Sequence, residues 1–257
     1  MIVDIHTHIF PPKFVEERER LAAHDPQFGA MYASEKAIMA TAEDLRESMR
    51  TAGVSVSVVC GFWWQDPELA AEHAQYLGDV AAQSDGSMIA FAPTFDRPDR
   101  CAGIGEVRLP DHAEFPATDA PMLVHCSEEV GHLYPGKSGG LSPGGLWRLL
   151  QAQPRARVIA AHWGAGFPFF GLMPEVARIL EEGRLLVDTA ATSYLYQPEV
   201  FRRGIELIGT RNIAWGSDYP LRSQSVDLGQ ARDALRTDGE INAILGGNAA
   251  RFLGLEG

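Results

Sequence analysis

Only three cysteines occur among the 257 residues of this chain. Cys60, Cys101 and Cys126 are odd in number and form no close motif. A disulfide framework is therefore excluded, and reduced thiols of a cytosolic protein are the reading. Cations are also scarce: 22 Lys and Arg stand against 34 Asp and Glu, so the net charge is 22 − 34 = −12. That balance argues against nucleic acid, whose phosphates want a basic face, and against an anionic membrane surface. No apolar run approaches the roughly 18 residues needed to span a bilayer. The opening Met1-Ile2-Val3-Asp4-Ile5-His6 has neither the basic start nor the apolar stretch of a secretory signal. Repeats, low-complexity tracts and long linkers are missing. We expect one domain over residues 1–257 with no serine nucleophile on a strand-to-helix elbow.

What the chain does have is a rhythm. Eight short, apolar, β-branched runs alternate with helical patterns: Ile2–Ile9, Val54–Cys60, Ser87–Phe95, Gly103–Leu109, Pro121–Cys126, Arg157–His162, Arg184–Thr189 and Asn212–Asp218. Near-continuous apolar runs suit strands covered on both faces. Asp66-Pro67 reads as an N-cap with proline in the first turn, and Leu69, His73, Leu77 and Val80 follow at helical spacing. Thr41 and Gly53 bracket another helix, while Ser142-Pro143 and Pro198 open two more. Strand–helix alternation of this kind predicts a parallel (β/α)8 barrel, the TIM-barrel class of α/β folds. Asp96–Ala102 and Pro110–Ala120 are too short for a crossover helix with its loops, so a slight degeneracy is expected around strands 3 to 5. An open doubly wound sheet is the alternative, but no Gly-x-Gly-x-x-Gly follows an early strand.

Chemistry gathers at the C-terminal ends of these runs. His6-Thr7-His8 closes the first, and strand alternation turns both imidazoles to one side, where they can share a metal ion. His125 ends the fifth run, His162 the sixth and Asp218 the eighth, while Glu106 lies on the fourth. A parallel barrel brings all these ends to one face, where barrel enzymes work. Four of the chain's eight histidines then converge with one or two carboxylates. Such a donor set suits Zn2+ or a similar borderline ion.

The stretches Val3-Asp4-Ile5-His6-Thr7-His8, Val124-His125, Ala161-His162-Trp163-Gly164, Trp215-Gly216-Ser217-Asp218-Tyr219-Pro220 and Gly247–Leu255 resemble the amidohydrolase superfamily. They are most similar to the branch that includes aminocarboxymuconate semialdehyde decarboxylase. The resemblance implies a divalent ion, usually Zn2+, held by His6, His8, His125 and Asp218, with His162 as general acid or base. Asp218 could also shuttle the proton. Many relatives bridge two ions with a modified lysine on strand 4. Here that segment reads Gly105-Glu106-Val107-Arg108, and an arginine cannot be carbamylated. Glu106 could bridge a second ion, as in the TatD-like branch, or pair with Arg108. One ion is the favoured count, and a second stays possible. The resemblance also makes a homodimer reasonable.

Substrate contacts are sought in the loops. His132, Tyr134 and Lys137 follow strand 5 in a glycine-rich segment, and Trp63 follows strand 2. Aromatic residues after strands 2, 6 and 7 suit an apolar or aromatic small molecule, or simple packing. Arg108 and Arg222 are the candidates for holding a carboxylate. Two activities fit. A metal-dependent hydrolase of a small ester, lactone or amide comes first, and a non-oxidative decarboxylase of an aromatic or unsaturated acid is the alternative.

Overall fold

Val, Ile and Ala dominate the segments that become strands, and their side chains are buried on both faces. The computed structural model describes residues 1–255. Its strands are β1 (Val3–His8), β2 (Val56–Cys60), β3 (Met88–Ala92), β4 (Gly103–Val107), β5 (Met122–Val124), β6 (Val158–Ala160), β7 (Leu185–Asp188) and β8 (Ile213–Ala214). Each pairs in parallel with the next, in sequence order. The circle closes where Ile5 N donates to Trp215 O at 3.1 Å, Asp218 N to His6 O at 3.0 Å and His8 N to Tyr219 O at 2.7 Å. This is a (β/α)8 barrel. Gly216 permits the closure, because a Cβ there would lie 2.9 Å from that of His6.

Caps set the helix boundaries that the sequence predicts. Thr41 and Asp44 form a reciprocal capping box on Ala42–Ala52, and Gly53 ends that helix at φ 69°. Asp66 caps Pro67–Ala82 through Glu68 N, and Ser142 caps Pro143–Ala152 through Gly145 N. The β3–β4 and β4–β5 connections carry no helix, as their lengths dictate. Among the described residues no helix is long and apolar enough to cross a membrane.

Two features depart from the expected plan. Beyond β1 the chain runs through three short helices, Pro12–Glu16, Arg18–His24 and Pro26–Tyr32. These bury Phe10, Phe14, Leu21 and Phe28 against Phe62 and Trp64, a cluster separate from the barrel interior. His73 joins it as a satisfied core histidine. It accepts from Trp64 Nε1 at 3.0 Å, and its Nε2 donates to Ile9 O at 2.8 Å. The second departure is β8, which is two residues long rather than seven. Past Ala214 the chain follows β1 and turns through a left-handed Asp218 at φ 61°.

The barrel interior below the mouth is apolar, filled by Ile5, Val58, Cys60, Phe91, Leu123, Ile159 and Leu186. Between Asp4 and Thr7, β1 carries one residue more than β2. Such a bulge re-aims side chains. Asp4 consequently meets Gln224 of the helix Gln224–Ala234 at 2.8 Å, while His6 and His8 face the mouth.

That helix also carries Asp227, which accepts from Trp215 Nε1 at 2.8 Å. Burial raises its pKa from 3.8 to about 7, although the Trp215 bond and Arg222 oppose the rise. The native carboxyl therefore holds a proton that the unfolded chain releases near pH 4. Its stabilising share is complete below about pH 4 and is lost as pH rises towards 7. Asp227→Asn keeps an acceptor for Trp215 and has no charge to bury. We expect its urea midpoint to exceed that of the parent at pH 8 and the gap to narrow at pH 5. Parallel pH profiles for the two proteins would refute this.

Candidate metal centre

Five strand ends bring six polar side chains together at the mouth. His6 Nε2 lies 3.0 Å from His8 Nε2, and Asp218 Oδ1 is 3.6 Å from the first and 3.5 Å from the second. A second group faces it. Glu106 Oε1 is 2.8 Å from His125 Nδ1 and 3.4 Å from His162 Nε2. Glu106 links the two groups, with its carboxylate oxygens 3.8 Å from His6 Nε2 and from His8 Nε2. The donors thus sort into two triads, His6–His8–Asp218 and Glu106–His125–His162. His125 sits in the second triad, beside Glu106, whereas the resemblance grouped it with His6, His8 and Asp218.

Electrostatics explain why these groups can share so small a space. Burial disfavours charge on Glu106, but Arg108, with Nη2 3.2 Å away, and His125 outweigh it and hold the carboxyl well below its usual range. Asp218 is likewise kept ionised against burial by His6, His162 and His8. Burial also opposes a proton on His6, yet Asp188 at 2.8 Å, with Asp218 and Glu106, raises its pKa to about 10. Burial and the neighbouring His6 charge lower His8 to about 4. Burial, seconded by Arg108, lowers His125 to about 4. His162 is raised, because Glu106 and Asp218 overcome its burial.

This set fits a divalent cation. Ligand atoms about 2.0–2.1 Å from a tetrahedral ion lie roughly 3.3–3.4 Å apart. The 3.0–3.6 Å separations within His6–His8–Asp218 bracket that value. His125 turns Nδ1 towards the cluster, and its Nε2 is buried with no hydrogen-bond partner. The same carboxylates that hold a proton on His6 are placed to hold a metal ion instead.

Two site residues carry backbone strain. His162 (φ 58°, ψ 49°) and Asp218 (φ 61°) are left-handed, a conformation that costs a non-glycine residue about 1–3 kcal/mol. Backbone bonds hold both in place: His162 N donates to Asp188 Oδ1 at 2.8 Å and Asp218 N to His6 O at 3.0 Å.

Beside the donors opens a cavity of about 580 Å³, walled by Tyr32, Phe62, Arg108, His132, Tyr134 and Tyr194 among others. His132 and Tyr134 reach it as expected. Lys137 does not: its ammonium donates to the carbonyls of Glu129, Val130 and His132, pinning the loop to itself. Trp63 is likewise outside the wall, packed on Phe95 with ring centroids 5.2 Å apart. Arg222 stacks over Tyr194 at 5.2 Å.

Three contributors went unnamed in the sequence reading. Tyr32 arrives with the helical excursion after β1 and Phe62 follows β2, and no motif announces either. Asp188 did carry a signal, because it ends an apolar run as the other site residues do. One pattern also needs correction: Gly140-Leu141-Ser142-Pro143-Gly144 spells a nucleophile-elbow consensus. Ser142 Oγ is engaged by Asp111 at 2.5 Å and by Gly145 N at 3.1 Å, so it is a helix cap.

Residues 142–255 match the model of the amidohydrolase family. That match lies in the C-terminal part of the chain, which is therefore similar to the amidohydrolase family. The chain is 28% identical over 125 residues to a 2-amino-3-carboxymuconate-6-semialdehyde decarboxylase of Dictyostelium discoideum. That alignment covers 42% of this chain and 34% of the relative, so it spans about a third of the relative's length. Among solved structures it resembles 5-carboxyvanillate decarboxylase from Sphingomonas paucimobilis, with a TM-score of 0.71, 14% identity and 98% of each chain covered. A 5-carboxyvanillate decarboxylase from Novosphingobium aromaticivorans, complexed with manganese and 4-hydroxy-3-methoxy-5-nitrobenzoic acid, gives 0.71 at 12% identity, covering 99% of this chain and 96% of that one. At such identities the likeness speaks for the fold. The two donor triads make a candidate site for a divalent metal ion.

Proposed function

We propose that this enzyme is a metal-dependent, non-oxidative decarboxylase of a small aromatic or unsaturated carboxylic acid. The observation that carries the reading is one cavity joining the cation donors to a half-buried Arg108 and a wall of Tyr32, Phe62, Tyr134 and Tyr194. The decarboxylases named above support it, and for that reason it displaces hydrolysis, the first choice of the sequence reading. His6, His8 and Asp218 would hold the ion, with Glu106 and His125 as further donors. The imidazole-rich set favours Zn2+, while the carboxylates also admit Mn2+, the ion in the Novosphingobium structure. When bound, a divalent ion supplies positive charge against which a carboxylate and a neighbouring oxygen can be held.

The chain's own residues do the rest. Arg108 is 9% exposed and adds a fixed positive charge beside Glu106, suited to an anionic substrate. The aromatic wall grips a flat ring and excludes water. Loss of CO2 breaks the bond between ring and carboxyl carbon and leaves the electron pair on the ring carbon, which must take a proton. His162 is the donor in this reading, because Glu106 and Asp218 raise its pKa against burial and so favour the protonated ring. Asp218 stays ionised and is the poorer acid. Activity should fall as pH rises through the His162 pKa and protonated enzyme is lost.

The test is a panel of hydroxybenzoates, carboxyvanillate-like acids, esters and lactones, assayed with Zn2+- and Mn2+-loaded protein. Stoichiometric CO2 from an acid, with one deuterium on the vacated carbon in D2O, is the expected result. Ester or lactone cleavage without CO2 would restore the hydrolase reading.

A further inference from the structure

We infer that Asp188 is a positioning residue that couples His6 to His162, selecting the ring tautomer of the first and holding the backbone of the second. The inference takes from the proposed function only that His6 ligates the ion and that His162 handles the proton. Its test needs no substrate.

Asp188 ends β7 and is fully buried. Its two oxygens are divided between two tasks. Oδ2 faces His6 Nδ1 at 2.8 Å. A carboxylate only accepts, so the hydrogen sits on Nδ1. In the neutral ring the lone pair then falls on Nε2, the atom that faces His8 and Asp218. Orientation of a metal-binding imidazole by a carboxylate on its far nitrogen is a recurrent device.

Oδ1 takes two backbone donors, His162 N at 2.8 Å and Ala190 N at 3.0 Å. The first belongs to a left-handed residue whose conformation is unfavourable unless its surroundings impose it. The second anchors the segment that also receives the His162 ring, because Nδ1 donates to Ala190 O at 3.2 Å. One side chain thus touches the backbone of His162, the residue whose carbonyl supports its ring and the imidazole of His6. These groups come from three strand ends that only barrel closure unites.

A simpler role would be to satisfy stray amides at the crowded mouth. Asp188→Asn separates the two. Its carbonyl oxygen can still accept from both backbone amides, but its NH2 now meets His6 Nδ1. That forces the lone pair onto Nδ1 and the hydrogen onto Nε2, the wrong tautomer for binding. We expect zinc affinity, measured by competition with a chromophoric chelator, to fall about 10–100-fold in Asp188→Asn. The melting temperature of the ion-free protein should stay within a few degrees of the parent. In a His6→Gln background the same change should cost less than about twofold, since the interaction it acts through is already gone. Amide exchange at His162 should be slow in the parent and in Asp188→Asn, and at least about tenfold faster in Asp188→Ala.

Parent-like zinc affinity in Asp188→Asn would overturn the tautomer role, and so would equal losses in the parent and His6→Gln backgrounds. Unchanged exchange in Asp188→Ala would overturn the backbone role. Should Asp188→Asn not fold, Asp188→Ser takes its place under the same affinity criterion. If CO2 release is never found while these results hold, the proposed function fails and this inference stands.

Discussion

Asp218→Asn should lower turnover about a thousandfold while leaving the fold almost untouched. The substitution removes a charge and little else. Asn has the same shape, and it is among the few residues comfortable in the left-handed conformation that position 218 adopts at φ 61°. The backbone bond from Asp218 N to His6 O is kept. What disappears is the anion 3.6 Å from His6 Nε2 and 3.5 Å from His8 Nε2. Metal occupancy should fall with it, and the expected loss in rate sits within the range for removing a group that handles charge or protons at a reacting centre. Elemental analysis and the CO2 assay, run on the same preparation, check both halves. Full occupancy with parent-like turnover would remove Asp218 from the site.

Glu106→Gln should be the most damaging single change to stability. Glu106 is 2% exposed and Arg108 is 9% exposed, with 3.2 Å between Nη2 and Oε2. The amide would leave a buried guanidinium without its counter-ion. Breaking a buried pair from one side costs about 3–5 kcal/mol. For a chain of this size that corresponds to roughly 6–20 °C in melting temperature. The pH dependence follows from the direction of the shift. The folded carboxyl titrates well below the unfolded value of 4.5. Its stabilisation is therefore complete above about pH 4.5 and lost as pH falls through the lower, folded value. Calorimetry on ion-free protein should show a wide gap between parent and variant at pH 7 and a narrowing gap below pH 4.5. A gap that is the same at both pH values would place the effect in packing rather than charge.

Part of this site is open to anyone reading the chain. Strands buried on both faces must be apolar, so the few polar residues ending such runs stand out against them. His6, His8, His125, His162 and Asp218 all do. Glu106 is visible for the same reason, as one carboxylate in Gly-Ile-Gly-Glu-Val. Asp188 obeys the rule too, at the end of Leu-Leu-Val-Asp. Local chemistry likewise settles the Thr41 and Asp66 caps, because a cap satisfies amides within a few residues of itself. The missing helices around β4 follow from loop length alone.

Other features have no local cause. Lys137 looks like an anion binder until the loop's own carbonyls surround it. Trp63 and Phe62 are adjacent, yet Phe62 lines the cavity and Trp63 packs on Phe95. Ser142 fits a catalytic pattern and is a cap. By itself the sequence determined the barrel, its two shortened connections and the strand-end residues that make up its centre, because period, burial and length are properties of contiguous residues. Only the tertiary structure decided how those donors divide into two triads, which nitrogen of each histidine faces inward and which aromatics wall the cavity. It also decided that one buried aspartate serves both His6 and His162. Those outcomes depend on distances of a few ångströms between residues up to 220 positions apart, as in the Asp4–Gln224 bond, and barrel closure alone sets such distances.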